Sequence, residues 1–174
     1  MKTIGFAVAI SLCLAAAVAR AEGPTDPQIA SIVVTANQVD IDAGKLAVTR
    51  SHTKDVKAFA RRMITDHTGV NKSAVDLVTK LNVTPEDNPT SQSLKSGGDQ
   101  NLHDLKGLRG AAFDKAYVDH EVAYHEQVLN AVDTVLIPNA KNAELKALLI
   151  QVRPAFVAHL EHAKRIQASL VAKS

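Results

Sequence analysis

Cysteine is all but absent from this 174-residue chain, and its absence narrows the chemistry at once. The single cysteine, Cys13, falls inside an N-terminal apolar run. The rest of the chain can therefore form no disulfide, no thiolate metal site and no cysteine nucleophile. Covalent c-type haem is excluded too, because no Cys-x-x-Cys-His occurs. There is no Gly-rich phosphate loop and no ordered serine, histidine and acid set of the hydrolase kind. Charge of one sign is also lacking. The formal net charge is +2, and Lys2 and Arg20 account for the surplus. Beyond that N-terminal segment acids and bases balance, so a nucleic-acid partner has no electrostatic footing.

What is present begins with a leader. Lys2 is followed by an apolar run from Ile4 to Val18 and then by Ala19-Arg20-Ala21, the pattern of a signal peptide with its cleavage site. The run is short for a membrane span, so no span is expected in the mature protein. Residues 1–21 are thus expected to be removed, leaving one domain over 22–174. Export combined with the lack of cysteine points to a bacterial periplasm, where a core of this size suffices without disulfides.

The mature chain reads as helix. Ile29, Ile32, Ala36, Val39, Ala43 and Leu46 recur by threes and fours and predict a helix over Asp26 to Arg50. Val56, Phe59, Ala60, Met63, Val70, Ala74 and Leu77 predict a second, from Lys54 to Leu81. The few residues between them make the two antiparallel neighbours. A third is expected over Ala111 to Leu136, with Phe113, Tyr117, Val118, Val128, Val132 and Val135 on one face. A fourth follows an N-cap at Asn142 and runs to Val171. Pro154 lies inside it and predicts a kink rather than an end. Residues 82–110 hold two prolines and four glycines and predict a long crossover with one or two helical turns near Asp99 to Leu108. Leu94, Leu102, Leu105 and Leu108 are placed to seat it on the bundle. Short, long and short connections between four helices define a ferritin-like, all-α bundle in which helices two and three run parallel.

Each predicted helix carries ionisable groups where its apolar seam should continue. These are Asp40 on the first, Asp66 and His67 on the second, Glu121 and His125 on the third, and His159 on the fourth. Glu121 and His125 are one helical turn apart and share a face. Groups of this kind on an apolar face must be paired, neutralised or bound to something. All lie near the middle of their helices, so they meet at one level. Carboxylates and imidazoles at one level of a bundle suit iron, manganese or zinc. One reading is therefore a single transition metal at mid-bundle. His67, His125 and His159 would supply imidazoles, and Glu121, with Asp66 or Asp40, charge or orientation. The alternative is a non-catalytic envelope or stress-associated protein in which the same residues form a metal-free network. An envelope protein is the candidate partner, and the oligomeric state is left open. His52, His103 and His120 are expected at solvent or helix ends.

Four blocks carry a resemblance. Asp40 to Ala47 (DIDAGKLA), Phe59 to Thr68 (FARRMITDHT), Phe113 to His125 (FDKAYVDHEVAYH) and Pro154 to Ala163 (PAFVAHLEHA) resemble the secreted bacterial family called domain of unknown function 4142. The resemblance implies a ferritin-like bundle and an envelope location, and no particular chemistry. Di-iron ferritin-like proteins use Glu-x-x-His on two helices. Here Ile64 and Phe156 stand where those glutamates would be, so a complete di-iron centre is not expected.

Overall fold

The computed structural model describes residues 22–172, and the expected leader lies outside them. No strand occurs among the described residues. The helices are α1 (Asp26–Arg50), α2 (Lys54–Lys80), α3 (Pro89–Lys106), α4 (Gly110–Ala131), a π-helical segment (Val132–Leu136), α5 (Ile137–Asn139) and α6 (Ala143–Val171). The predicted first, second, third and fourth helices are α1, α2, α4 and α6.

Side-chain ties give the topology. Asn37 meets His67 and Asn71 meets Val34, so α1 and α2 are antiparallel. Asp66 meets His159 and Lys80 meets Glu144, which sets α6 antiparallel to α2. Gln167 reaches Asp119 and Arg153 reaches Asp133, which sets it antiparallel to α4 as well. Hence α2 and α4 run parallel, as a long crossover requires.

The crossover itself differs from expectation. It is an 18-residue helix, α3, rather than a loop with a turn or two. Its start was written in the sequence. The Asn88 side chain accepts from the amides of Thr90 and Ser91, the Ser91 hydroxyl accepts from the Asn88 amide, and Pro89 opens the first turn. Its buried residues are Ser91, Gly98 and Leu105, one every two turns. So narrow a stripe carries almost no hydrophobic signal. Gly98 permits the close approach: a Cβ there would lie 2.7 Å from Val39 Cγ2. Leu105 is buried, while Leu94 and Leu108 pack against the core as expected. Because α3 covers the outer side of α1, Ala30, Ser31 and Ile41 are buried off the bundle seam.

Two irregularities face each other. The π-helical segment adds a residue to its turn and shifts the apolar face by one position. Val135, expected on the seam, is therefore 38 % exposed, and Leu136 is buried in its place. The chain stays helical through Pro138 rather than stopping before it. Across from this segment, α6 continues through Pro154, and the preceding Arg153 makes a two-pronged ion pair with Asp133 at 2.6 and 2.7 Å. The Asn142 side chain caps α6 by accepting from the amides of Glu144 and Leu145, as expected.

Candidate metal centre

The four bundle helices bring Asp40, His67, Glu121, His125 and His159 together, each no more than 3 % exposed. Apolar residues lie above and below this layer. The histidine rings lie in mutual contact, with centroids 5.2 to 5.7 Å apart. Each of His67, His125 and His159 offers a ring nitrogen within 4.8 Å of those of the other two. Asp40, Glu121 and His125 form a second such trio, so His125 belongs to both.

The hydrogen bonds fix the tautomers. His125 Nδ1 lies 2.9 Å from the Glu121 backbone carbonyl, which can only accept, so Nδ1 carries the proton. Asn37 Nδ2 donates to the Val33 carbonyl, which leaves Asn37 Oδ1 to accept from His67 Nδ1 at 2.6 Å. His159 Nε2 donates to Asp66 Oδ2 at 2.8 Å. The other nitrogen of each ring keeps its lone pair. Those atoms, Nε2 of His67, Nε2 of His125 and Nδ1 of His159, are buried and have no hydrogen-bond partner. His67 Nε2 is 3.3 Å from Asp40 Oδ2, close enough to feel its charge but not aligned for a hydrogen bond.

Burial favours neutral forms throughout. It lowers the pKa of His67 and of His159 to about 4, the latter despite the pull of Asp66. It lowers that of His125 as well, against the opposing charge of Asp40. Burial raises Asp40 and raises Glu121 further, since the Asp40 charge adds to the effect there. Neither carboxylate oxygen of Glu121 makes an aligned hydrogen bond, and its polar neighbours are the Asp40 carboxyl and the Tyr117 hydroxyl. Three neutral imidazoles and two carboxyls easily kept neutral can therefore receive a cation, the histidines as they stand and the acids by losing a proton.

Asp66 is placed differently from its neighbour. Successive helix residues point about 100° apart, so Asp66 and His67 cannot both face inward. His67 does, and Asp66 sits at the rim, its side chain 34 % exposed, holding His159. Burial alone would raise the Asp66 pKa, but hydrogen bonds from His159 and Arg62 outweigh it and hold the carboxyl below its usual value. Three contributors were not read from the sequence as part of the site. Asn37 orients His67 from one turn before Asp40. Tyr117, one turn before Glu121, was counted as apolar, yet its buried hydroxyl interacts with the Glu121 carboxyl. Tyr124 sits edge-on to His125 and donates to the Ala36 carbonyl. Spacing from recognised residues was the available signal in all three cases. His52 and His103 are exposed as expected, whereas His120 is half-buried and stacked on Tyr124.

The fold has a solved counterpart. A structure titled "CopM in the Cu(II)-bound form" superposes with a TM-score of 0.65, covering 84 % of this chain and 98 % of that one at 15 % identity. Likeness at that identity shows a shared fold. No curated protein matches the chain in sequence. Residues 12–166, nearly the whole chain, match one sequence family, and the protein accordingly belongs to the family described as domain of unknown function (DUF4142).

Proposed function

We propose that the protein binds one divalent transition metal at mid-bundle, through His67, His125 and His159, with Glu121 and Asp40 as adjoining carboxylates. The observation that carries this reading is the orientation of the three rings. Each spends one nitrogen on an outward oxygen acceptor, Asn37, the Glu121 carbonyl or Asp66, and turns an unpartnered nitrogen inward. That arrangement sets ring angle and tautomer for a metal ligand. Left without a cation, the inward nitrogens are buried acceptors with nothing to accept, which costs about 1–3 kcal/mol each.

Iron, manganese and zinc fit carboxylate-rich sites. Three imidazoles add copper to that list, because imidazole suits copper and copper binds most tightly along the divalent series. The likeness to a protein whose structure is titled as Cu(II)-bound supports testing copper first. The same proposal places the protein in the periplasm, with Met1–Ala21 removed, as a metal-handling member of a ferritin-like bundle class. No described helix is long and apolar enough to cross a membrane.

One observation favours a metal-free network instead. Asp40 lies near His67 Nε2, and Asp40 and Glu121 adjoin with raised pKa values, so the carboxyls can share protons within the layer. Thermal unfolding of untagged, chelator-stripped protein separates the readings. With Cu²⁺, Zn²⁺, Fe²⁺ or Mn²⁺ at one hundred times Kd, the metal reading expects stabilisation of about 2.7 kcal/mol. It expects His125→Ala to abolish that gain and His120→Ala to keep it. The network reading expects His125→Ala to cost about 1–3 kcal/mol whether or not metal is present. Wild-type protein that none of the four metals stabilises would overturn the proposal.

A further inference from the structure

A chamber of about 220 Å³ adjoins the polar layer on the side of the π-helical segment. Its walls are mostly apolar, with Ile32, Val132, Leu136, Leu149 and Phe156 prominent among them. At one end it reaches Asn37, Asp40 and His67. The space lies beside backbone irregularities on two of its walls. Val132 and Leu136 bound the π-helical segment, a rare element that is frequent at functional sites. Phe156 and Val152 flank Pro154 on the facing helix.

The chamber also has a way in. Thr90, Leu94, Tyr124 and Gln127 border both the chamber and an outer groove between α3 and α4. Gln127 is exposed, while the Tyr124 ring is held in place by its hydrogen bond to the Ala36 carbonyl.

We propose that this chamber binds a small, uncharged, largely apolar molecule carrying one hydroxyl group, of the phenol class, with the hydroxyl donating to Asp40. Size is the first argument. A dry apolar cavity of about 150 Å³ accepts benzene, so about 220 Å³ holds a ring with a few further atoms. Chemistry is the second. Asp40 lines the polar end, its Oδ1 is buried and makes no aligned hydrogen bond, its one polar neighbour there being the Glu121 carboxyl, and both polar atoms of the Asn37 amide are already engaged. A hydroxyl donor supplies what Asp40 lacks. A carboxylate head would face Asp40 with no lysine or arginine lining the wall, and an ammonium head would lose its hydration to a mostly apolar chamber. A neutral donor on an apolar body is left. His67, His125 and His159 remain free for a metal, Asp40 is the residue the two sites share, and the inference does not rest on the metal reading.

The test uses phenol and toluene, which match in size and differ in the hydroxyl. Calorimetry on untagged wild-type protein, stripped and metal-loaded, should show saturable phenol binding, with toluene weaker by about tenfold, the worth of one hydrogen bond. Ala131→Leu, which grows into the chamber away from the histidines, should lose phenol binding and keep any metal-dependent rise in Tm. Val128→Phe serves the same purpose if Ala131→Leu fails to fold. No saturable phenol binding, toluene as tight as phenol, or phenol binding unchanged in the filled variant would each overturn the inference. A metal response without phenol binding removes the chamber alone, and phenol binding without a metal response removes the metal reading alone.

Discussion

The polar layer divides the bundle into two ends that are built differently. At the end where α2 and α4 begin, Phe59, Met63, Leu105, Phe113, Tyr117 and Val118 are buried to 1 % exposure or less. Phe59 and Phe113 both pack against the Tyr117 ring, at 6.3 and 6.4 Å between centroids. At the end where α1 and α6 begin, the core is aliphatic, from Ile29, Ile32, Val33, Leu136, Leu145 and Leu149. That end also holds the chamber, the π-helical segment and Pro154. The same four helices thus make a close-packed end that sets the positions of the histidines and a looser end that leaves room beside them. Interiors are ordinarily packed as densely as organic crystals, so a chamber beside irregular backbone sets this end apart from the other.

Truncation should expose the difference most strongly. Phe113→Ala removes a ring from the dense end and should cost about 3–5 kcal/mol in urea unfolding. Leu136→Ala borders space that already exists and is free to readjust, so it should fall at the low end of its class, about 2 kcal/mol. Equal losses would mean that the two ends are equally packed.

The layer between the ends should respond to pH from both directions. His67 and His159 have folded pKa values near 4, below the ordinary 6.5, so between those values the unfolded chain binds more protons. Their contribution is present above pH 6.5 and is lost as pH falls toward 4, a change on the order of 3 kcal/mol for each histidine. Asp40 and Glu121 have raised pKa values, so the folded state binds more protons above the ordinary carboxylate range, and their effect is to lower stability as pH rises. Metal-free protein should therefore be most stable at an intermediate pH. His67→Phe should flatten the acid limb of denaturant midpoints taken across pH, and an unchanged limb would remove His67 from the account.

The smallest effects belong to the helix that spans both ends. A Cβ on Gly97 meets nothing within 4 Å, so Gly97→Ala should gain about 0.5–1 kcal/mol from helix propensity. Gly98→Ala would press on Val39 and should lose about 1 kcal/mol by overpacking. Opposite signs at adjacent glycines would show that α3 is clamped to α1 at that point. Like signs would show that it floats.

Much of this was legible in the amino-acid sequence. Spacing by threes and fours gives the four bundle helices, because an amphipathic stripe must face a partner to leave water. The three-residue link at Ser51 and the Asn142 cap give two antiparallel hairpins, and the long interval between them gives the crossover. The seam also singles out Asp40, His67, Glu121, His125 and His159, because polar residues on an apolar stripe stand out against it. Tertiary structure alone decided the rest. That α3 packs closely on α1 depends on Gly98 meeting Val39, a contact between distant residues that leaves no periodic signal. That Asp66 turns outward to hold His159 while Asn37 holds His67 depends on which side chains face across helix pairs. The chamber lies where the π-helical segment and Pro154 fall at the same height on neighbouring helices, and relative height is set only when the helices pack.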